Sequence, residues 1–118
     1  MNSNERGVAV PQVVLVTGAS RFLGGYLVTR LAQNPAIERV IAVDSVSPSK
    51  DLLRRMGRAE FVRADIRNPL IGKVIRNASF DTVVCINVLE HIEDDRASLR
   101  HIMKLLNPGG RLILLVPQ

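Results

Sequence analysis

The sequence predicts an α/β protein: one doubly wound parallel sheet of five strands, with helices on both faces, in three layers. Three observations lead there. Short apolar runs rich in β-branched residues recur at residues 13–16, 39–43, 61–63, 81–86 and 111–116, with helically patterned segments between them. Such alternation over a chain of 118 residues specifies parallel strands joined by right-handed crossovers. A glycine-bearing turn, TGASRFLGGYL at residues 17–27, follows the first run, where a doubly wound sheet offers its ligand crevice. The expected strand order is 3-2-1-4-5, with the crevice where the order reverses between strands 1 and 4.

Each element has a local reason. Residues 1–12 are polar, then mixed, with Pro11 ahead of the first strand; they read as a lead-in to a single domain spanning 1–118. Residues 13–16, VVLV, are apolar without interruption, as a strand covered on both faces requires. After the turn, Leu23, Leu27 and Leu31 recur at i, i+4 and i+8, which predicts a helix ending near Asn34-Pro35 with those leucines inward. RVIAV at 39–43 is the second strand, and Asp44 follows at once. A loop holding Pro48 leads to a short helix over 51–56, broken by Gly57.

Residues 61–63 form a short third strand that runs into ADIRNP. There Asn68 as N-cap and Pro69 at the first helical position start a helix that buries Leu70, Ile71, Val74 and Ile75. DTVVCI at 81–86 is the fourth strand. Asp94 or Asp95 can cap the next helix, in which Leu99, Ile102, Met103 and Leu106 share a face. NPGG at 107–110 stops that helix, and RLILLV at 111–116 is the fifth strand. Its outer edge, left unpaired, would invite a second copy, so a homodimer through this edge is expected.

Composition narrows the function classes. The net charge of +5 comes mostly from arginine, but the arginines are scattered and the aromatics are only Phe22, Tyr26, Phe61 and Phe80. Scattered cations with few stacking rings fit a solvated surface, so no nucleic-acid partner is expected. No apolar run approaches the roughly 20 residues that span a bilayer, so no membrane partner is expected. Cys85 is the single cysteine, which leaves no disulfide framework and points to a reducing, cytoplasmic compartment. His91 and His101 lack partnering cysteines, so no metal site is expected.

The residues that could carry chemistry gather around the turn. Amides at a helix N-terminus and the positive end of its dipole suit a phosphate. Gly18 permits the turn and Gly24 permits close helix-to-sheet packing or ligand approach. Asp44, at the end of the second strand, can accept hydrogen bonds from both hydroxyls of an adenosine ribose, or serve as a plain strand-end turn residue. Asp65 could receive an adenine amino group with Ile66 against the ring, or could merely place charge near the helix at Pro69. Arg21 could pair with a phosphate or point into solvent. Cys85 reads as a buried, inert thiol, and His91 as loop surface with a ligand contact as the alternative.

Two resemblances sharpen these readings. VLVTGASRFLGGYL, VIAVD and RADIRN resemble the extended short-chain dehydrogenase/reductase family of NAD-dependent epimerases and dehydratases, with its Rossmann-like fold. Gly18 and Gly24 match the outer glycines of its Thr-Gly-x-x-Gly-x-x-Gly motif, whereas Arg21 replaces the middle one. The resemblance implies that the amides of Ser20, Arg21, Phe22 and Leu23 bind pyrophosphate, Asp44 binds ribose, and Asp65 with Ile66 binds adenine. From Phe80 onward, NVLEHIEDD and LLNPGGRLILLVP look like the fourth-to-fifth-strand segment of class I S-adenosylmethionine-dependent methyltransferases. This second resemblance implies that Asn87 and its neighbours lie around adenosine.

Those methyltransferases normally carry Gly-x-Gly-x-Gly after the first strand, and this sequence does not. The dehydrogenases carry a Tyr-x-x-x-Lys pair, yet no tyrosine follows Tyr26. The expectation is therefore an engineered chimera, dehydrogenase-like over 13–79 and methyltransferase-like over 80–118. It would keep a partial NAD site and no complete catalytic machinery, and would not be an enzyme. The alternatives are a fold with no ligand, or a methyltransferase fragment that binds S-adenosylmethionine.

Overall fold

The strands β1 (Val13–Thr17), β2 (Arg39–Asp44), β3 (Glu60–Arg63), β4 (Phe80–Ile86) and β5 (Leu106–Leu115) form one parallel sheet in the order β3-β2-β1-β4-β5. Three helices accompany them among the described residues: α1 (Phe22–Ala32), α2 (Lys50–Arg55) and α3 (Ile92–Met103). The computed structural model describes residues 12–68, 70–71, 75, 80–86 and 92–115. This is the doubly wound, Rossmann-like architecture that the alternating pattern predicts.

The uninterrupted apolar runs are explained by two cores, one on each face of the sheet. Val14, Val16, Val40, Ala42, Val84 and Ile86 point to one side, where Val28 of α1 and Met56 meet them. Leu15, Ile41, Val43, Val83 and Cys85 point to the other, against Ile71, Ile75 and Ile102. Because successive strand side chains alternate faces, burying both faces demands an apolar residue at every position. Register links the strands: Leu15 sits opposite Ile41 on one side and Val83 on the other.

Three local expectations are corrected. Leu23 is exposed, and the residues that α1 buries are Gly24, Gly25 and Val28, with Leu27 and Leu31 packed at the flank. The first turn of the helix lies so close to the loop before it that a Cβ on Gly24 would fall 2.0 Å from the Gly18 carbonyl oxygen, and glycine carries no hydrophobic signal. α3 begins at Ile92, so Asp94 and Asp95 stand within its first turn and do not precede it. Met103 is exposed as well, leaving Ile102 as the buried residue of that turn.

β5 starts at Leu106, ahead of the expected turn. Leu106 pairs with Phe80, and after the irregularity Arg111 pairs with Thr82, so residues 107–110 bulge out between two paired stretches. Gly109 takes φ +81°, and a Cβ on Gly110 would meet the Asn107 and Asp81 carbonyls at 2.9 and 3.2 Å. The turn chemistry of NPGG is thus used inside the strand. Ile113, Leu114 and Leu115 remain exposed at this end of the sheet. Of the helix expected after Pro69, Asn68 Oδ1 accepts from the Leu70 amide at 2.9 Å, and Ile71 and Ile75 are buried. Leu70 itself is exposed, and Val74 lies outside the described residues.

Candidate functional site

The loop between β1 and α1 is held by its own backbone. The Ala19 amide donates to the Val43 carbonyl at 3.2 Å, and the Arg21 amide to the Gly18 carbonyl at 3.2 Å. Gly18 adopts φ +71°, and a Cβ there would lie 2.9 Å from the Ile86 carbonyl oxygen. A Cβ on Gly24 would fall 2.0 Å from the Gly18 carbonyl oxygen, a position no side chain can occupy. Both glycines therefore answer packing demands within the fold.

Asp44 fastens this loop to the end of β2. Its Oδ2 accepts from the Ser20 amide at 3.0 Å and its Oδ1 from the Val46 amide at 3.1 Å, with the residue only 9% exposed. The Ser20 hydroxyl donates to the Val46 carbonyl, a second tie between the same two loops. An ionised carboxylate has roughly four acceptor positions, so two remain for a ligand. The helix dipole end is open too, because Arg21, the N-cap of α1, makes no side-chain capping bond and the first turn holds no acidic residue.

These elements surround a cleft of about 130 Å³ at the carboxyl ends of β1, β2 and β4. Thr17, Gly18, Arg21, Asp44, Asp65, Ile66 and Ile86 are among its walls. Five residues singled out from the sequence, Gly18, Arg21, Asp44, Asp65 and Ile66, are thus brought together. Ser20, Phe22, Leu23 and Gly24 stand beside it on the loop and first helical turn. Asn87 and His91 lie outside the described residues. Ile86 was not foreseen as a wall, since a terminal strand isoleucine reads as core.

The electrostatics of the walls differ. Arg67 grips Asp65, with Nη2 at 2.7 Å from Oδ2, and holds its carboxyl below the usual carboxylate range. Asp65 is therefore a charged but already partnered acceptor. Cys85 is buried as expected, and burial pushes its thiol up to about 11, against a smaller opposite pull from the Thr17 hydroxyl. Among the described residues no group of three or more metal-ligating side chains occurs, and no helix is long and apolar enough to cross a membrane.

A parallel doubly wound sheet with a walled cleft at the switch between β1 and β4 defines a protein class that takes ligands at that crevice. Comparison with known proteins narrows the class. The chain belongs to the family described as "Methyltransferase domain", whose match covers residues 22–114. It is 80% identical over 74 residues to the uncharacterized protein Rv0501 of Mycobacterium tuberculosis, covering 63% of this chain and 20% of that one. It is 33% identical over 93 residues to a ubiquinone biosynthesis O-methyltransferase of Xanthomonas oryzae, covering 77% of this chain and 38% of the relative.

Among solved structures, the Helicobacter pylori ADP-L-glycero-D-manno-heptose-6-epimerase is similar at TM-score 0.66 and 20% identity, over 87% of this chain and 38% of that chain. The plantazolicin methyltransferase BpumL in complex with SAH is similar at TM-score 0.57 and 17% identity, over 83% and 36%. At such identities both show the shared fold alone. The chain spans well under half the length of these curated relatives and solved proteins.

These findings overturn the expectation of an engineered chimera, because one family runs from residue 22 to 114, through the segment where a join was expected. They also overturn the NAD site and the non-enzyme reading. The physical reason lies in the loop: Gly18 and Gly24 are required by backbone contacts inside the fold, so their resemblance to a dehydrogenase motif carries no information about NAD. The missing Tyr-x-x-x-Lys pair bears on dehydrogenase proton donation and says nothing about methyl transfer.

Proposed function

We propose that this chain is the cofactor-binding part of an S-adenosylmethionine-dependent methyltransferase. The observation that carries the reading is the Asp44 carboxylate, buried at the β2 end, clamped by two amides and still holding acceptor positions on the cleft. The residues present fit such a ligand. Asp44 accepts the ribose hydroxyls, Ile66 and Ile86 flank the adenine ring, and Asp65 takes its amino group.

The carboxylate end of the cofactor goes to the open N-terminal turn of α1, at the amides of Phe22 and Leu23. Gly18, Ser20 and Gly24 act through the backbone: Ser20 carries the clamp to Asp44, and the two glycines let loop, helix and β4 approach. When bound, the cofactor supplies an activated methyl group on a sulfonium centre; the protein's work is to hold it and exclude water.

Calorimetric titration with S-adenosylhomocysteine, S-adenosylmethionine and NAD tests the reading. Binding of the two sulfur ligands, lost in Asp44→Ala, with no heat from NAD, is the expected result. Saturable NAD binding with none of the sulfur ligands would overturn it.

A further inference from the structure

A second concavity of about 250 Å³ lies on the outer side of the loop, between α1 and α2. Phe22 and Tyr26 form one wall, Leu52 and Arg55 the other, and Arg21 and Ser20 close the end next to the cleft. Phe22 is 91% exposed and Tyr26 58% exposed, one helical turn apart on α1. Two rings at this spacing, open to solvent, leave a large apolar area without internal cover.

The charges in the groove are unequal. Asp51 is engaged by Arg55 and also by Arg54. The Arg21 guanidinium has no ion-pair partner among the described residues, although it lines both concavities. The hydroxyls of Thr29 and Ser49 are turned to backbone, Thr29 donating to the Gly25 carbonyl and Ser49 accepting from the Leu52 amide. What the groove offers a ligand is thus two exposed rings and a guanidinium with no ion-pair partner among the described residues, a group that pairs with planar carboxylates in a two-pronged geometry.

We propose that this groove binds a planar aromatic carboxylate, ring against Phe22 and Tyr26 and carboxylate on Arg21, at a site contiguous with the cofactor cleft but separate from it. A neutral ring would leave the guanidinium unmatched, and a non-aromatic acid would leave the rings uncovered. Both features are needed.

The chain contains one tyrosine and no tryptophan, so its intrinsic fluorescence comes from Tyr26 inside the groove. The full chain is titrated with 1-naphthoate, with 1-naphthylmethanol and cyclohexanecarboxylate as controls, following fluorescence and heat. Saturable quenching by naphthoate is expected, with each control binding about three- to five-fold more weakly, since an exposed charge pair is worth up to roughly five-fold and a ring contact roughly two- to ten-fold.

Arg21→Gln and Phe22→Ala should each weaken naphthoate by a similar factor while retaining the far-ultraviolet dichroism of the parent. Tyr26→Leu, read by heat alone, should weaken naphthoate and leave S-adenosylhomocysteine binding unchanged. Equal binding of cyclohexanecarboxylate, undiminished affinity in Arg21→Gln, or no quenching at all would each overturn the proposal. Naphthoate binding without S-adenosylhomocysteine binding would sink the cofactor reading and leave this one standing.

Discussion

The carboxylate of Asp44 and the amide of Ser20, 24 positions apart in sequence, meet at 3.0 Å. One side chain thereby does two jobs: it terminates β2 beside the cleft, and it holds the glycine loop in place. Asp44→Ala orphans the Ser20 and Val46 amides together, each lost bond costing about 1 kcal/mol or more, and removes the ribose acceptor. Asp44→Asn keeps a single acceptor oxygen. Chemical denaturation should rank the parent above Asn above Ala, and S-adenosylhomocysteine affinity should fall in the same order.

Gly24 and Gly25 are adjacent on the buried face of α1, yet alanine should affect them unequally. At Gly24 the new Cβ meets the Gly18 carbonyl at 2.0 Å, so backbone must move and a loss of at least about 3 kcal/mol is expected. At Gly25 the nearest atoms, at 2.8 and 2.9 Å, end the flexible Leu52 side chain, although the Ala19 carbonyl stands at 3.1 Å. A loss near 1 kcal/mol is expected there, partly offset by better helix propensity. Equal midpoints for the two variants would show that helix α1 does not press on the loop as described.

Arg58 is a side chain whose work is wholly tertiary. Its guanidinium donates to the carbonyls of Ala32, Asn34, Ile37 and Glu38, closing the C-terminal end of α1 and the turn into β2. Arg58→Ala should cost about 1–2 kcal/mol, and Arg58→Lys should recover little, because an ammonium cannot serve carbonyls in a fork. Full recovery by lysine would mean that charge alone matters.

Asp81 ties the start of β4 to the start of β1. Its Oδ2 accepts from the Gln12 and Val13 amides at 2.8 and 2.9 Å, while Oδ1 is buried with no hydrogen-bond partner among the described residues. Asparagine can keep both bonds through its carbonyl oxygen, so Asp81→Asn should be mild. Asp81→Ala should lose about 1–3 kcal/mol and speed amide exchange at Val13.

Cys85 sets a pH limit on stability. Its folded thiol titrates near 11, above the ordinary 9.0, because burial disfavours the thiolate. Below pH 9 both states hold the proton and the thiol contributes no pH dependence. Between about pH 9 and 11 the unfolded chain releases its proton and the folded chain does not, so stability falls as pH rises. Cys85→Ala should flatten that slope in denaturation midpoints, and the parent thiol should resist maleimide at pH 8 until it unfolds.

Much of this fold is legible in the chain by itself. Strands covered on both faces must be apolar throughout, so VVLV, RVIAV and DTVVCI announce a parallel sheet, and right-handed crossovers then restrict its order. Asp44 and Asp65 could be placed at strand ends on the same grounds. The family was harder to read, because glycines that answer a packing demand look the same whichever ligand lies beyond them.

The sequence by itself determined the layers, the strand order and the group of residues at the β1 and β2 ends, since these follow from periodicity and chain chirality. Only the tertiary structure decided what those residues do for one another. That Asp44 clamps Ser20, that Gly24 rests on Gly18, that Arg58 closes a helix 26 positions away, and that NPGG bulges within β5 depend on distances between segments remote in sequence. Local pattern reports which face a residue turns, and contact across the fold reports what it meets there.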